Sequence, residues 1–174
     1  MSDRILFVVP CGRAKLTRPA PARELYTGAM FRFALSVVEA EAAHTAALGM
    51  DTRVVIFSAR HGLLDPNSEV EPYEQTMTQP GSILADAVAD QLAGLCAEHD
   101  AEAHAFLPKA YLTRLRVAAT VLDQRRDSRF LVHDVYEATA GIGEQRRVLA
   151  NLRRSHTSLT DITDRDTTRK ENHA

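Results

Sequence analysis

Two short stretches hold most of the residues that could do chemistry. In Ser58–Met77 (SARHGLLDPNSEVEPYEQTM), a hydroxyl and an imidazole, Ser58 and His61, stand three residues apart. That spacing invites a nucleophile-and-base reading. The nucleophile-elbow pattern is not met, because no glycine lies two residues before Ser58. Ser58 therefore reads as a contact to a ligand oxygen or as a turn cap, and His61 as a ligand-orienting group, a proton carrier or a pin for the loop, with ligand contact the expected role of both. Glu71 and Glu74, flanking Pro72-Tyr73, could serve as general acid or base if set against an apolar wall; the plainer outcome is surface acid. Gly62 and Tyr73 complete the ligand-binding candidates of this stretch. In the second stretch, Pro10-Cys11-Gly12-Arg13-Ala14-Lys15, a glycine lets backbone come close to a ligand and two cations follow, which suits an anion cradle. It is not a P-loop, since the glycine spacing and the following Ser or Thr are absent. Cys11 is a candidate reactive thiol, or a small packing residue.

These residues need strands to place them. Arg4–Val9 and Val54–Phe57 are apolar runs of the kind that form buried parallel strands, and each chemical stretch begins where one of them ends. Ligands in open α/β sheets sit at the carboxyl ends of strands, so the two loops are expected to meet there. Pro19 and Pro21 exclude a helix from Thr17 to Pro21, and the Ser58–Met77 stretch, punctuated by Gly62, Pro66 and Pro72, is expected to be an ordered loop with no regular element. Apolar spacing predicts helices from Ala29 to Leu48, from Ser82 (as N-cap) through Cys96, over Ala110–Leu122 and over Glu144–Arg154. Ala101–Leu107 and Phe130–Val132 read as further strands. The alternation of strand and helix implies an α/β fold, a single domain with a mostly parallel sheet flanked by helices over residues 1–155. Beyond Ser155 almost nothing is apolar, and 156–174 is expected to be a disordered polar tail.

With 174 residues the chain can bury one core, and a net charge of −2 gives no global pull toward nucleic acid. Any such binding needs a local patch, for which Arg146, Arg147, Arg153 and Arg154 are the candidates. The seven histidines are scattered without ligand spacing and no paired-cysteine motif exists, so neither a metal nor another cofactor is expected. Two distant cysteines and the absence of a long apolar run point to a reduced, cytoplasmic protein with no membrane association.

The pattern S-x-x-x-G-L-L-x-P followed by P-Y-x-x-x-M in Ser58–Met77 resembles the signature loop of the YaaA family of peroxide-stress proteins. Pro10–Lys15 with Glu24-Leu25-Tyr26 resembles smaller bacterial and phage relatives of that family, and Gly141-Ile142-Gly143-Glu144-Gln145 resembles their closing motif. Pro10–Lys15 is also similar to the Pro-Cys-x-x-x-Lys motif of the archaeosine synthase core domain, which attaches lysine to a deazaguanine base in tRNA. The chain departs from YaaA proper in its shorter length, in His61 and in Glu74-Gln75. The resemblance implies an α/β domain whose pocket is built by the two loops, Tyr26 included, and an association with stress response, nucleic acid or modified nucleobases. The expected function is a nucleobase- or nucleotide-directed enzyme that cleaves or exchanges a glycosidic bond or modifies a base. The alternative is a non-catalytic DNA-binding stress protein.

Overall fold

The computed structural model describes residues 4–96, 101–126 and 129–155. The expected polar tail, 156–174, lies outside them. The first apolar run forms β1 (Arg4–Pro10), and the second forms β3 (Asp51–Ser58), paired parallel to β1 from Arg4↔Asp51 to Pro10↔Phe57. β6 (Ala101–Ala105) pairs parallel with the other side of β1, and β7 (Leu131–Asp134) pairs parallel with β6. A short β4 (Gly62–Leu64) folds back antiparallel on β3, giving a five-stranded, mostly parallel sheet in the order β4-β3-β1-β6-β7.

Side-chain alternation along each strand divides the core in two. Leu6, Val8, Val55, Phe57, Ala103 and Ala105 face one layer, covered by α3 (Ala85–Leu95) and α4 (Lys109–Arg125). Ile5, Phe7, Val9 and Ile56 face the other, covered by α2 (Ala29–Ala47) and by Leu149 of a last helix over 142–155, here α5. Strands buried on both faces have no solvated side, which is why β1 and β3 read as continuous apolar runs. After α2 the chain enters β3 on one side of β1; after α3 it crosses to β6 on the other side. The sheet therefore has a topological switch point between β1 and β6, where a crevice opens at the carboxyl ends.

Two expectations are corrected. Ser58–Met77 contains regular structure: β4, and β5 (Glu69–Val70), which pairs antiparallel with β2 (Ala20–Pro21) ahead of the single-turn α1 (Ala22–Leu25). Strands of two and three residues are too short to show a period, and Gly62, at φ 75°, supplies the reversal that brings β4 back. Ser82 is not the N-cap of α3, which begins at Ala85 after Leu84. Residues ahead of it are held across the structure instead: Ile83 N–H donates to Ala59 O at 2.8 Å, and Ile83 O accepts from Arg114. β2 and α1 have no counterpart among the expected elements, and the other helices and strands differ from expectation only in their ends. No described helix is long and apolar enough to cross a membrane.

Candidate functional site

The loop after β1 is placed by backbone pairing. Cys11 N–H donates to Phe57 O at 3.0 Å, extending the parallel ladder one residue past the strand. The chain then turns and runs back antiparallel on itself: Leu16 N–H donates to Leu25 O, Thr27 N–H to Ala14 O, and Lys15 bridges Tyr26. Gly12 lies where this loop passes the start of α2; a Cβ there would stand 3.3 Å from Tyr26 Cβ and 3.4 Å from Phe31 Cβ.

A cavity of about 440 Å³ opens beside this loop. Its walls are Cys11, Gly12, Arg13 and Lys15 from the first loop, Glu74–Thr76 and Gln79 from the second, and Tyr111 from α4, following β6. It therefore lies at the switch point. Cys11 Sγ and Tyr111 Oη are 3.2 Å apart in its wall. A second, smaller and mainly apolar cavity, about 150 Å³, shares Cys11 and Gly12 and is lined by Phe31, Phe106, Tyr136 and Ile142.

Three of the predicted ligand contacts form the buried support under this wall. Ser58 is fully buried; its Oγ accepts from the backbone N–H of Arg60 (3.1 Å) and of His61 (3.0 Å) and lies 2.8 Å from Tyr73 Oη. Tyr73 Oη is in turn 2.8 Å from Tyr26 Oη. With both Ser58 lone pairs taken by backbone amides, its proton goes to Tyr73, and Tyr73 donates to Tyr26. Burial pushes the Tyr26 phenol up to about 12 and raises Tyr73 further, so both stay neutral and act as hydrogen-bonding groups, not as bases. Burial raises Tyr111 in the same way.

Lys15 stands on this support, its Nζ 4.5 Å from the Tyr73 ring centroid and 5.8 Å from that of Tyr26, donating to Arg13 O at 3.2 Å. The ring faces hold the ammonium by cation–π attraction without neutralising it. Among the described residues, neither Arg13 nor Lys15 forms an ion pair with a carboxylate.

His61 packs edge-on against Tyr73 at 5.2 Å within the second loop, and the Tyr73 ring under Lys15 brings the two loops together at one sheet edge. Its Nε2 is buried without a hydrogen bond, and burial, then the neighbouring Arg60 charge, lower its pKa. His61 does not line the large cavity. Gly62 is structural in position: Gln91 of α3 accepts from Leu63 N–H and donates to His61 O, both at 2.8 Å, and a Gly62 Cβ would lie 2.1 Å from Gln91 Oε1. Glu71 is exposed and away from the cavity wall, whereas Glu74 is exposed on it.

Residues 6–151 match the profile of a family of unknown function, DUF6884. The chain belongs to DUF6884. No curated protein and no solved structure matches it significantly. The matched span of this DUF6884 protein takes in every residue of both cavities.

Sequence reasoning missed Tyr111, Gln75, Thr76 and Gln79 as wall residues of the DUF6884 pocket. Tyr111 begins a helix after β6 and its role follows only from strand order; the other three had no chemical signal beyond their nearness to Glu74. It also missed a cluster elsewhere on the sheet. Glu102 and His104 on β6 and His133 on β7 come together, His104 Nε2 2.9 Å and His133 Nε2 3.1 Å from the two oxygens of one carboxylate. The signal available was the Glu102-x-His104 alternation, which on a strand puts both side chains on one face.

Proposed function

We propose that this DUF6884 protein is a nucleobase- or nucleotide-directed enzyme whose substrate occupies the large cavity. The observation that carries the reading is the division of that cavity: Arg13 and Lys15, cations without carboxylate partners, share it with a tyrosine and a carboxylate. Two such cations suit a phosphate or another anionic group, since a charge-assisted contact is about twice as strong as a neutral one. Tyr111 and the polar second loop suit a flat, hydrogen-bonding base, and about 440 Å³ falls in the usual range of small-molecule sites. Of the three proton-carrier candidates, Glu74 is the one on the cavity wall, so it would carry the proton in glycosidic-bond cleavage or base modification. Ser58, Tyr26, Tyr73 and His61 would position Lys15 and the loops. The resemblance of both loops to the YaaA family, with its nucleic-acid and nucleobase associations, supports the same substrate class.

The test is calorimetric titration with nucleoside monophosphates and the parent nucleosides, followed by chromatography and mass spectrometry for released or altered base. The reading expects monophosphates to bind better than nucleosides, Lys15→Ala to weaken them at least about tenfold, a loss of ~1.4 kcal/mol, and Glu74→Gln to bind without turnover. Absence of mononucleotide binding, or binding indifferent to Lys15→Ala, would overturn it. A second reading rests on α5, where Arg146, Arg147, Arg153 and Arg154 are exposed at sevenfold spacing, a single stripe able to meet a phosphate backbone. Salt-dependent DNA binding that is lost with the arginines, and no mononucleotide turnover, would favour it.

A further inference from the structure

We infer that Glu102, His104 and His133 form a binding site for a first-row divalent transition cation of the zinc class, joining edge strand β7 to β6. The strands place the ligands. Glu102 and His104 are two residues apart on β6 and so share a face, and the parallel register sets His133 directly beside His104. That face is otherwise apolar at this level: the β1 neighbours are Ile5, opposite Glu102, and Phe7, opposite His104, whose ring it meets at 5.3 Å. On this part-exposed face the carboxylate and the two imidazoles satisfy one another, each imidazole against one oxygen of Glu102.

The donor atoms are already gathered. All three lie within 4.8 Å of one another, with each imidazole offering Nε2 to a different oxygen of Glu102. Metal–ligand bonds of about 2.0–2.2 Å place tetrahedral donors roughly 3.3–3.6 Å apart, so a cation enters by a slight widening of the two Glu102–histidine contacts and a closing of any donor pair that stands as far as 4.8 Å. Two imidazole nitrogens and one carboxylate select zinc, cobalt, nickel or copper over magnesium or calcium, which prefer oxygen alone. Side-chain exposures of 32% for Glu102, 34% for His104 and 52% for His133 leave an entry path from solvent and room for a water as the fourth ligand.

The test uses the full chain without an affinity tag, stripped with chelator. Cobalt(II) titration followed by visible absorption should show the intense bands of a four- or five-coordinate ion at one equivalent, zinc should displace it, and zinc should raise the melting temperature. His133→Ala and Glu102→Gln should each weaken zinc more than the roughly 10–100-fold that loss of an outer-shell partner costs. A His156→Ala/His173→Ala variant should bind as the parent does. Glu102→Gln keeps the side-chain shape, and His133 is half-exposed on an edge strand, so at least one variant is expected to fold, as circular dichroism of the metal-free protein will show. Absence of stoichiometric binding at micromolar metal overturns the site. So does binding that survives a His104→Ala/His133→Ala double variant, or that disappears with His156 and His173.

Discussion

Tyr73→Phe separates the support of the pocket from its working surface. The substitution removes one oxygen and keeps the ring. That oxygen joins Ser58 Oγ and Tyr26 Oη, each at 2.8 Å, in a segment where Ser58 and Tyr26 are fully buried. Two hydrogen bonds are lost at about 0.5–1 kcal/mol each, and the Ser58 proton is left without its acceptor at a further ~1–2 kcal/mol, for a total of about 2–4 kcal/mol. Against a total stability of roughly 5–15 kcal/mol this is a large fraction. For a chain of this size each kcal/mol is worth about 2–4 °C, so the melting temperature should fall by about 4–16 °C. Urea unfolding should show a lower midpoint with an unchanged slope. The Lys15 ammonium keeps its ring face, so mononucleotide affinity measured on folded protein should hardly change. Tyr73→Leu should lose both. If Tyr73→Phe leaves stability intact and abolishes ligand binding, the phenol touches ligand and the buried chain is not a support.

Lys15→Ala should cost only about 0.5–1 kcal/mol of stability, the worth of an accessible cation–π contact, while ligand affinity falls at least tenfold; a sharp fall in melting temperature with unchanged affinity would contradict this. Gly62→Ala should destabilise by more than about 1 kcal/mol, because an L side chain is strained at φ 75° and its Cβ would strike Gln91 Oε1, and denaturant melts will read this directly. His61 should make stability fall in acid: its folded pKa lies below the ordinary 6.5, so the unfolded chain takes up the proton first as pH drops. Its contribution is complete above about pH 6.5 and is lost from there down through the folded pKa. His61→Phe should flatten that part of the profile in urea midpoints taken across mildly acid pH, and an unaltered slope would show that His61 does not titrate this way.

The α/β order, the main helices and the meeting of the two loops were legible because they rest on long apolar runs and on a rule about strand ends. Illegible elements were set by single tertiary contacts. Ser82 is a good N-cap by type, yet Ile83 is tied to Ala59 and Arg114 and the helix starts later. β4 and β5 exist through pairing with β3 and β2, which no local period announces. At the site, residue type suggested chemistry for Ser58 and His61, whereas burial made the serine a turn cap and turned the histidine ring against Tyr73. The Glu102–His104–His133 cluster was hidden because its third member comes from a strand paired only in space.

The buried hydroxyl chain ties together the two loops that make most of the pocket wall. Tyr26 belongs to the loop after β1, Tyr73 to the loop after β3, and Ser58 to the end of β3 itself, so three hydroxyls join three separate segments through one line of contacts. Hydrogen bonds in such a line reinforce one another, and in a dry interior each broken member leaves an unsatisfied neighbour, so the segments hold together or give way together. Lys15 is fixed to this unit twice, by its backbone bridge to Tyr26 and by the Tyr73 ring below its ammonium. A cation held in place before a ligand arrives loses little side-chain freedom on binding, and the affinity otherwise spent on ordering it is kept. Under the proposed function, the polar residues buried beneath the wall act on the substrate only through the cation they position.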